Sequence, residues 1–254
     1  MNVNLLTYDT IDSTNAEALK RARDSAPEGL CIVARQQNAG RGRYGRTWVS
    51  EKDTGLYFSI ILRPKLEPQF LPLTTLMAGV SVHDMLQEYG LKPDIKWVND
   101  ILVDEKKISG ILAETAESDE GLAVVVGIGV NLTSKSFPDE IADIATSIEK
   151  ETGLIVTPDE AAGTLIKFLT YFYGVLSAQD GPAAIVDEWR KRSSYFSGKA
   201  VRVAAGNETI KGTTDGLEPN GALRIRRSDG SVAIVQAGDV ERLRAAPTEQ
   251  HVIQ

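Results

Sequence analysis

Glycine and arginine alternate along residues 37–48, where the sequence reads Gln-Asn-Ala-Gly-Arg-Gly-Arg-Tyr-Gly-Arg-Thr-Trp. The glycines permit positive φ angles and let a ligand approach the backbone closely. Arginine side chains are permanently charged planar donors that suit phosphate and carboxylate groups, and the aromatic rings offer flat stacking surfaces. The segment therefore predicts a loop that holds an anionic, partly aromatic ligand. Its functional side chains are those of Arg41, Arg43, Arg46, Tyr44 and Trp48.

Loops of this composition also occur as flexible nucleic-acid contacts or as solvated basic surface. Here the loop lies between two apolar segments, residues 30–34 and 56–62, which the sequence predicts to be buried strands. The formal net charge is −7, whereas nucleic-acid-binding proteins usually carry a basic excess. Position and charge together favour the ligand-binding interpretation.

A lysine, an amide and a carboxylate occur together in residues 96–100, which read Lys-Trp-Val-Asn-Asp and end a predicted strand. An Asn-Asp pair at a strand end often forms nothing more than a turn. Lys107 opens a further strand, and lysines near turns are usually solvated. For each of these polar groups, the structural and the ligand-binding interpretation remain open.

Single glycines interrupt two of the predicted strands. Gly110 lies in an apolar run, and Gly127 and Gly129 alternate with apolar residues before Asn131. A glycine in a strand often marks the close approach of a ligand or another backbone. A buried Asn131 needs hydrogen-bond partners, so it is either structural or ligand-facing. The Gly-x-Gly segment lacks the strand–turn–helix context of a dinucleotide-binding fingerprint.

The surrounding pattern predicts a mixture of strands and helices. A capping box of Thr14 and Glu17 predicts one helix start, and Thr157 with Glu160 predicts another. Apolar spacing predicts a helix over residues 71–89. The Thr157 helix is expected to end near residue 178, and another is expected to begin after Gly181-Pro182 and to end near residue 193. Strands are predicted at residues 3–8, 30–34, 56–62, 95–98, 101–103, 108–115 and 122–132.

The character of the sequence changes near residue 197. Four short β-rich segments follow, separated by turn signals such as Pro-Asn-Gly and Asp-Gly, which are typical of a small antiparallel barrel or sandwich. The fold class is therefore α+β, with a large domain at residues 1–196, a small all-β domain at 197–245 and a tail at 246–254.

Composition excludes several classes of site. A single cysteine, Cys31, cannot form an internal disulfide or a cysteine-based zinc cluster, and two histidines are too few for a metal site built from histidine alone. The first residues lack the basic start and apolar core of a signal peptide, and no apolar run approaches membrane-spanning length. We expect a cytoplasmic protein that does not insert into membranes.

Taken in order, these segments resemble the catalytic domain of biotin protein ligases, and the resemblance extends from about residue 10 to residue 132. It implies a mixed-sheet catalytic domain of the biotin/lipoate ligase type followed by a small SH3-like barrel. The motifs that carry it are Asp12-Ser13-Thr14-Asn15, Gln37-x-x-Gly40-Arg41-Gly42-Arg43-x-Gly45-Arg46-x-Trp48, Lys96-Trp97-x-Asn99-Asp100, Lys107-x-x-Gly110-Ile111-Leu112-x-Glu114 and Gly127-x-Gly129-x-Asn131.

The resemblance implies two-step chemistry, in which biotin and ATP form biotinyl-5′-AMP and a lysine of a biotin carboxyl carrier protein then takes the biotin. The catalytic residues would be Arg41, Lys107 and Asp100. Biotin would contact Ser13, Thr14, Asn15, Gln37, Arg41, Gly42, Arg43, Lys107 and Gly110. ATP would contact Arg41, Arg43, Arg46, Trp48, Asn99, Asp100 and Asn131. Magnesium would arrive with ATP, and Asp100 would be its candidate ligand.

Two departures from the family pattern modify these expectations. Val98 occupies a position that is commonly proline, which restores a backbone donor and relaxes the restriction on φ. The ligase motifs begin close to Met1, so we expect no winged-helix domain and no binding to operator DNA. A homodimer is compatible with the family. The rival readings are a lipoate ligase or octanoyltransferase, and a binding module that uses residues 40–48 as its contact loop.

Overall fold

Seven strands form one mixed sheet in the computed structural model, which describes residues 1–135, 137–205 and 208–242. The strand order is β1-β2-β3-β7-β6-β5-β4, with β1 and β2 parallel and all other neighbours antiparallel. The mixed-sheet prediction is therefore confirmed. The strands are β1 Asn4–Ile11, β2 Leu30–Gln37, β3 Gly55–Leu62, β4 Asp94–Lys96, β5 Asp100–Val103, β6 Lys106–Ser118 and β7 Gly121–Asn131.

Helices cover the two faces of this sheet unequally. On one face, α2 packs against the sheet and is covered in turn by α4 and α5, so it is buried along nearly its whole length. On the other face, α1 alone packs over Ile32, Ile61 and Val125. Because α1 covers only part of its face, the remainder is open. The helices are α1 Thr14–Arg23, α2 Leu73–Glu88, α3 Ile148–Thr152, α4 Pro158–Leu176 and α5 Gly181–Arg192.

Five short strands form a second, wholly antiparallel sheet in the order β11-β10-β9-β8-β12. This confirms the predicted all-β unit at the end of the chain; the predicted tail, 246–254, lies outside the described residues. The two units touch, since the Trp97 indole N–H donates to the Gly221 carbonyl at 2.9 Å. The strands are β8 Ser197–Ala205, β9 Glu208–Leu217, β10 Leu223–Arg226, β11 Val232–Val235 and β12 Asp239–Arg242.

Local details differ from the sequence predictions at several places, and neither α3 nor β12 was predicted. Helix α1 is capped by Ser13, whose hydroxyl accepts from the Ala16 amide, and not by Thr14. Thr14 instead begins the helix and uses its hydroxyl elsewhere. Strand β4 ends at Lys96 and not at residue 98, and the Trp97–Val98 peptide bond is cis. The predicted capping box of Thr157 is present at the start of α4.

Cys31 is fully buried in β2, and no helix in the described parts of the chain has the length and apolarity needed to cross a membrane. Burial raises the pKa of the Cys31 thiol to about 12. The thiolate is the reactive form of cysteine, so the folded protein exposes no reactive thiol at ordinary pH.

We expect a thiol reagent at about pH 8 to leave Cys31 unmodified in the folded protein, because burial suppresses both access and ionisation. In denaturant the same reagent should modify one thiol per chain. Spectrophotometric titration of the released chromophore measures both. Reaction of the native protein at the rate of the denatured one would show that β2 is not buried.

Candidate active site

A cavity of about 270 Å³ opens on the part of the sheet that α1 leaves uncovered. All the residues that the family resemblance assigned to catalysis, biotin or ATP line it, although they come from five separate segments of the chain. They are Ser13, Thr14, Asn15, Gln37, Arg41, Gly42, Arg43, Arg46, Trp48, Asn99, Asp100, Lys107, Gly110 and Asn131. Tyr44, which the loop sequence predicted to face the ligand, does not line it and is 64% exposed at the tip of the loop.

Three glycines on β6 and β7 form the floor of the cavity. A Cβ at Gly129 would lie 2.5 Å from Cε2 of Trp48, and a Cβ at Gly110 would lie 3.0 Å from Cζ3 of the same ring. A Cβ at Gly127 would lie 2.6 Å from Oδ1 of Asn15. Glycine is therefore required at these positions by space, since two of the site's own side chains lie where a Cβ would be.

The first turn of α1 supplies one polar wall. The backbone N–H of Thr14 donates to Oε1 of Gln37 at 2.8 Å, and the Gln37 amide nitrogen donates to the Ser50 hydroxyl at 2.8 Å. The buried Ser59 hydroxyl donates to Thr14 Oγ1 at 2.9 Å. Ser13 caps the helix. These linked hydrogen bonds fix the side chains before any ligand arrives.

A lysine–carboxylate cluster forms the opposite wall. The Lys107 ammonium lies 2.6 Å from Oδ1 of Asp100, and the Lys96 ammonium lies 3.3 Å from Oδ2. Burial alone would raise the pKa of Asp100, but the two lysines outweigh it and hold that pKa below its usual value. Asp100 is therefore a carboxylate, and Lys107 also lies 5.5 Å from the centre of the Trp48 ring.

The arginine loop folds back on itself above the floor. The Gly42 amide donates to the Arg46 carbonyl at 2.7 Å, and the Trp48 amide donates to the Gly40 carbonyl at 3.0 Å. At the loop's tip, Tyr44 adopts a left-handed conformation with φ of 56°. Arg41 donates to Glu114 at 2.9 Å. The loop is thus a tight turn whose arginine side chains diverge.

Two of these arginines contact the second sheet. Arg43 Nη1 donates to Oδ1 of Asn99 at 3.1 Å and to the carbonyl of Gly238 at 3.2 Å, while Arg46 forms an ion pair with Asp239. The loop therefore connects the large domain to the beginning of β12.

Two family models match the chain. The biotin/lipoate A/B protein ligase family matches residues 8–131, and the biotin protein ligase C terminal domain matches residues 196–243. The bifunctional ligase/repressor BirA of Bacillus subtilis is 36% identical over 95% of this chain and 74% of its own length. The biotin--[acetyl-CoA-carboxylase] ligase of Paracoccus denitrificans is 34% identical over 89% of this chain and 95% of its own length. The chain belongs to the biotin protein ligase family.

Solved structures agree with this assignment. The biotin protein ligase from Aquifex aeolicus in complex with biotin and ATP superimposes with a TM-score of 0.81 at 30% identity, covering 95% of this chain and 99% of the other. A biotin protein ligase structure from Leishmania major in complex with biotinyl-5-AMP has a TM-score of 0.64 at 24% identity, a likeness of fold. The ligase fold is thus shown for both sheets.

One predicted ligand-facing residue of the ligase also has a structural contact. The Asn131 amide nitrogen donates to the Thr146 carbonyl at 3.0 Å and lies 3.4 Å from the Lys107 carbonyl. Asn131 therefore holds the segment around 141–146 against β6 while its side chain borders the cavity.

Several cavity residues were not predicted. Apolar side chains of the loop after β7 complete the wall, and Ile144 among them is 63% exposed. This loop is held by backbone hydrogen bonds from Lys107 to Ile144 at 2.8 Å and from Thr146 to Lys107 at 2.9 Å. No periodic pattern marks it, so only the tertiary contacts place it at the site. The unpredicted residues include Phe137, Ile141, Ile144, Ala145 and Asp239.

Magnesium fits poorly at Asp100. Both of its carboxylate oxygens face lysine ammonium groups. Within the described ranges, moreover, no group of three histidine, cysteine or acidic side chains has a geometry that holds a metal. Magnesium prefers oxygen ligands that are free of competing cations. The side chains present therefore do not form a magnesium site at Asp100.

We expect Gly129→Ala to displace the Trp48 ring, because the added methyl group would overlap it. Trp97 and Trp189 are buried, so acrylamide quenching of fluorescence reports mainly on Trp48, and quenching should increase. The unfolding free energy should fall by about 1 to 3 kcal/mol.

Gly163→Ala is the matched control, since its Cβ on α4 would meet nothing within 4 Å. It should leave quenching unchanged and slightly stabilise the helix. Equal quenching in the Gly129 and Gly163 variants would contradict the floor that we describe.

Proposed function

We propose that this ligase forms biotinyl-5′-AMP from biotin and ATP and then transfers the biotin to a lysine of a biotin carboxyl carrier protein of the acyl-CoA carboxylase type. One observation carries the proposal. Arg41, Arg43, Arg46 and Lys107 all border one cavity with an uncharged glycine floor. A site of this kind is suited to bringing two anions together.

In the first step, an oxygen of the biotin carboxylate attacks the α-phosphorus of ATP. The bond from that phosphorus to the oxygen bridging to the β-phosphate breaks, and pyrophosphate leaves. Attacking and attacked groups are both negatively charged, so the barrier falls when fixed cations offset their repulsion. Arg41 and Lys107 serve the carboxylate and the α-phosphate, while Arg43 and Arg46 serve the departing phosphates.

The polar wall on α1 suits the ureido ring of biotin. That ring carries two N–H donors and one carbonyl acceptor, and the wall presents both kinds of partner through Ser13, Thr14, Asn15 and Gln37. Because these side chains are already hydrogen-bonded in place, little ordering entropy is lost on binding. Gly42 leaves room for the bicyclic ring at the cavity wall, whereas the space above Gly110 is taken by the Trp48 ring and the Lys107 side chain.

Flat and apolar side chains of the cavity, away from the polar wall on α1, suit the adenine ring of ATP. Trp48 lies on the glycine floor, and its buried indole N–H has no acceptor among the residues that the structure describes. Ile144 faces the cavity from the loop after β7. Asn99 and Asn131 contribute amides at this end, so we assign them, with Trp48, to the nucleotide.

In the second step, a carrier lysine amine attacks the carbonyl carbon of the mixed anhydride, and AMP leaves. Lys107 stabilises the charge that develops on the carbonyl oxygen. Asp100, kept ionised by its two lysines, orients the incoming lysine, whose amine attacks in its neutral form after losing its proton to solvent. Magnesium would enter with ATP and offset part of the charge on the phosphates, and we assign Asp100 no part in holding it.

We further propose that the protein divides at residues 196/197 into a catalytic and a small β domain, and that it acts in the cytoplasm.

We propose no binding to DNA, because a net charge of −7 opposes association with a polyanion. Retention on a DNA column at low salt would contradict this part of the proposal.

The test of the proposed function is transfer of labelled biotin to a purified carrier domain in the presence of MgATP. We expect label on the wild-type carrier and none on a carrier whose acceptor lysine is arginine. Lipoate offered in place of biotin should give no transfer. Lipoylation without biotinylation would instead identify the related lipoate ligase activity.

We expect Lys107→Ala to cost about 2 to 4 kcal/mol of transition-state stabilisation in adenylate formation. The corresponding fall in rate is roughly 30-fold to 1000-fold. Single-turnover formation of biotinyl-5′-AMP measures it. Lys106→Ala, which changes the neighbouring lysine of β6, is the control and should change the rate little. A loss of less than about threefold for Lys107→Ala would remove Lys107 from this role.

The glycine-rich loop should become more ordered when both substrates bind, because its arginines then gain anionic partners. We therefore expect trypsin to cleave at Arg41–Arg46 more slowly with biotin and MgATP than without them. Cleavage at other exposed sites serves as the internal control. The same loop cleavage rate with and without the substrates would argue against ligand-dependent closure.

A further inference from the structure

Glu114 belongs to the sequence motif that opens with Lys107, yet neither step proposed above uses it. It lies on β6 four residues after Gly110 and two after Leu112, and alternate residues of a strand share a face. Gly110 and Leu112 line the cavity. Glu114 therefore lies on the cavity side of the sheet, at the edge of the floor.

The Glu114 carboxylate joins two parts of the site. Its Oε2 accepts a hydrogen bond from the Asn15 amide nitrogen at 2.6 Å, and its Oε1 accepts from Arg41 Nη2 at 2.9 Å. Asn15 belongs to the rigid first turn of α1, whereas Arg41 belongs to the glycine-rich loop. Glu114 therefore links the side chain of Arg41 to the first turn of α1, whose position is fixed by its own hydrogen bonds.

Asn15 in turn fixes the position of the Glu114 carboxylate. The Asn15 side chain is buried, its Oδ1 lies 3.2 Å from the Ser59 hydroxyl oxygen, and Gly127 leaves the space in which the amide lies. Its nitrogen must then face Glu114, since a reversed amide would place its oxygen against the carboxylate. The carboxylate is anchored before any ligand binds.

The anchored Glu114 carboxylate restricts the position of the Arg41 guanidinium. A guanidinium has five N–H donors in a planar fork, and the described residues place one of its Nη2 donors on Glu114. The remaining donors are directed by that contact while Arg41 lines the cavity. An arginine held on one edge loses less entropy when its other edge binds an anion.

We propose that Glu114 is a positioning residue, which holds Arg41 over the floor so that its free donors meet the carboxylate and α-phosphate of the substrates. The proposal rests on the function proposed above and adds to it a residue that acts only through Arg41. The proposal also explains why the negative charge of Glu114 lies beside a site that binds anions: the charge is paired with Arg41 and orients it.

The test is a double-mutant cycle on biotin-dependent pyrophosphate exchange, built from Glu114→Gln, Arg41→Ala and the double variant. Glutamine keeps the size and an acceptor for Asn15 but removes the charge. We expect Glu114→Gln alone to lower kcat/KM about fivefold, as for a half-exposed ion pair, and to raise KM for ATP. In the Arg41→Ala background it should change kcat/KM little.

Glu117→Gln, which removes an exposed charge three residues along β6, is the matched control and should leave exchange unchanged. Thermal unfolding of each variant separates a loss of fold from a loss of positioning. Multiplicative effects of Glu114→Gln and Arg41→Ala would overturn the proposal, since Glu114 would then act independently of Arg41.

A second measurement needs no substrate. Without ligand, Glu114→Gln should speed tryptic cleavage in the arginine loop by up to about fivefold, because the ion pair that restrains Arg41 is weakened. Unchanged cleavage would overturn the proposal even in an active enzyme. The two proposals can fail separately. If the wild type catalyses no pyrophosphate exchange but Glu114→Gln still speeds cleavage of the loop, the proposed function is rejected and the restraint of Arg41 by Glu114 stands.

Discussion

The site depends on the absence of three side chains. Gly110 on β6 is paired with Gly129 on β7, and Gly127 lies two residues before Gly129; at each position a Cβ would meet Trp48 or Asn15. Sheet faces in a folded protein are normally filled by side chains that pack a core. Here the bare backbone leaves a recess beside α1, and the indole of Trp48 and the amide of Asn15 lie directly on it.

The second constraint is the positive charge of the site, and each of three cations forms an ion pair with a carboxylate. Lys107 is paired with Asp100, Arg41 with Glu114 and Arg46 with Asp239. An unpaired, partly buried cation is costly, and removing one partner of such a pair costs more than the pair contributes. The site therefore keeps its cations in place without leaving them unbalanced. Each carboxylate comes from a different strand, so the charge pattern depends on the whole fold.

The small β domain takes part in this arrangement. Asp239 at the start of β12 pairs with Arg46, and the Gly238 carbonyl accepts from Arg43. The Trp97 indole reaches the Gly221 carbonyl from the segment that precedes Asn99. Two of the segments that carry the chemistry are thus supported from the second sheet, which gives the domain a direct structural link to the site.

The sequence predicted those features that are encoded locally. Glycines within apolar strands marked the floor, and the spacing of arginines marked the loop, because residue type alone carries that information. Asp239 and Ile144 were missed, since they reach the cavity only through long-range folding and stand in no recognisable pattern. The cap of α1 was misplaced by one residue because Ser13 and Thr14 are both good caps, and the need to bond Gln37 and Ser59 takes up Thr14.

The most direct test of the central claim, that this recess and its cations drive adenylation of biotin, is exchange of labelled pyrophosphate into ATP by the purified protein with magnesium. We predict exchange that requires biotin and that lipoate does not support. Folded protein that catalyses no exchange with either acid would contradict the account and leave residues 40–48 as a binding loop.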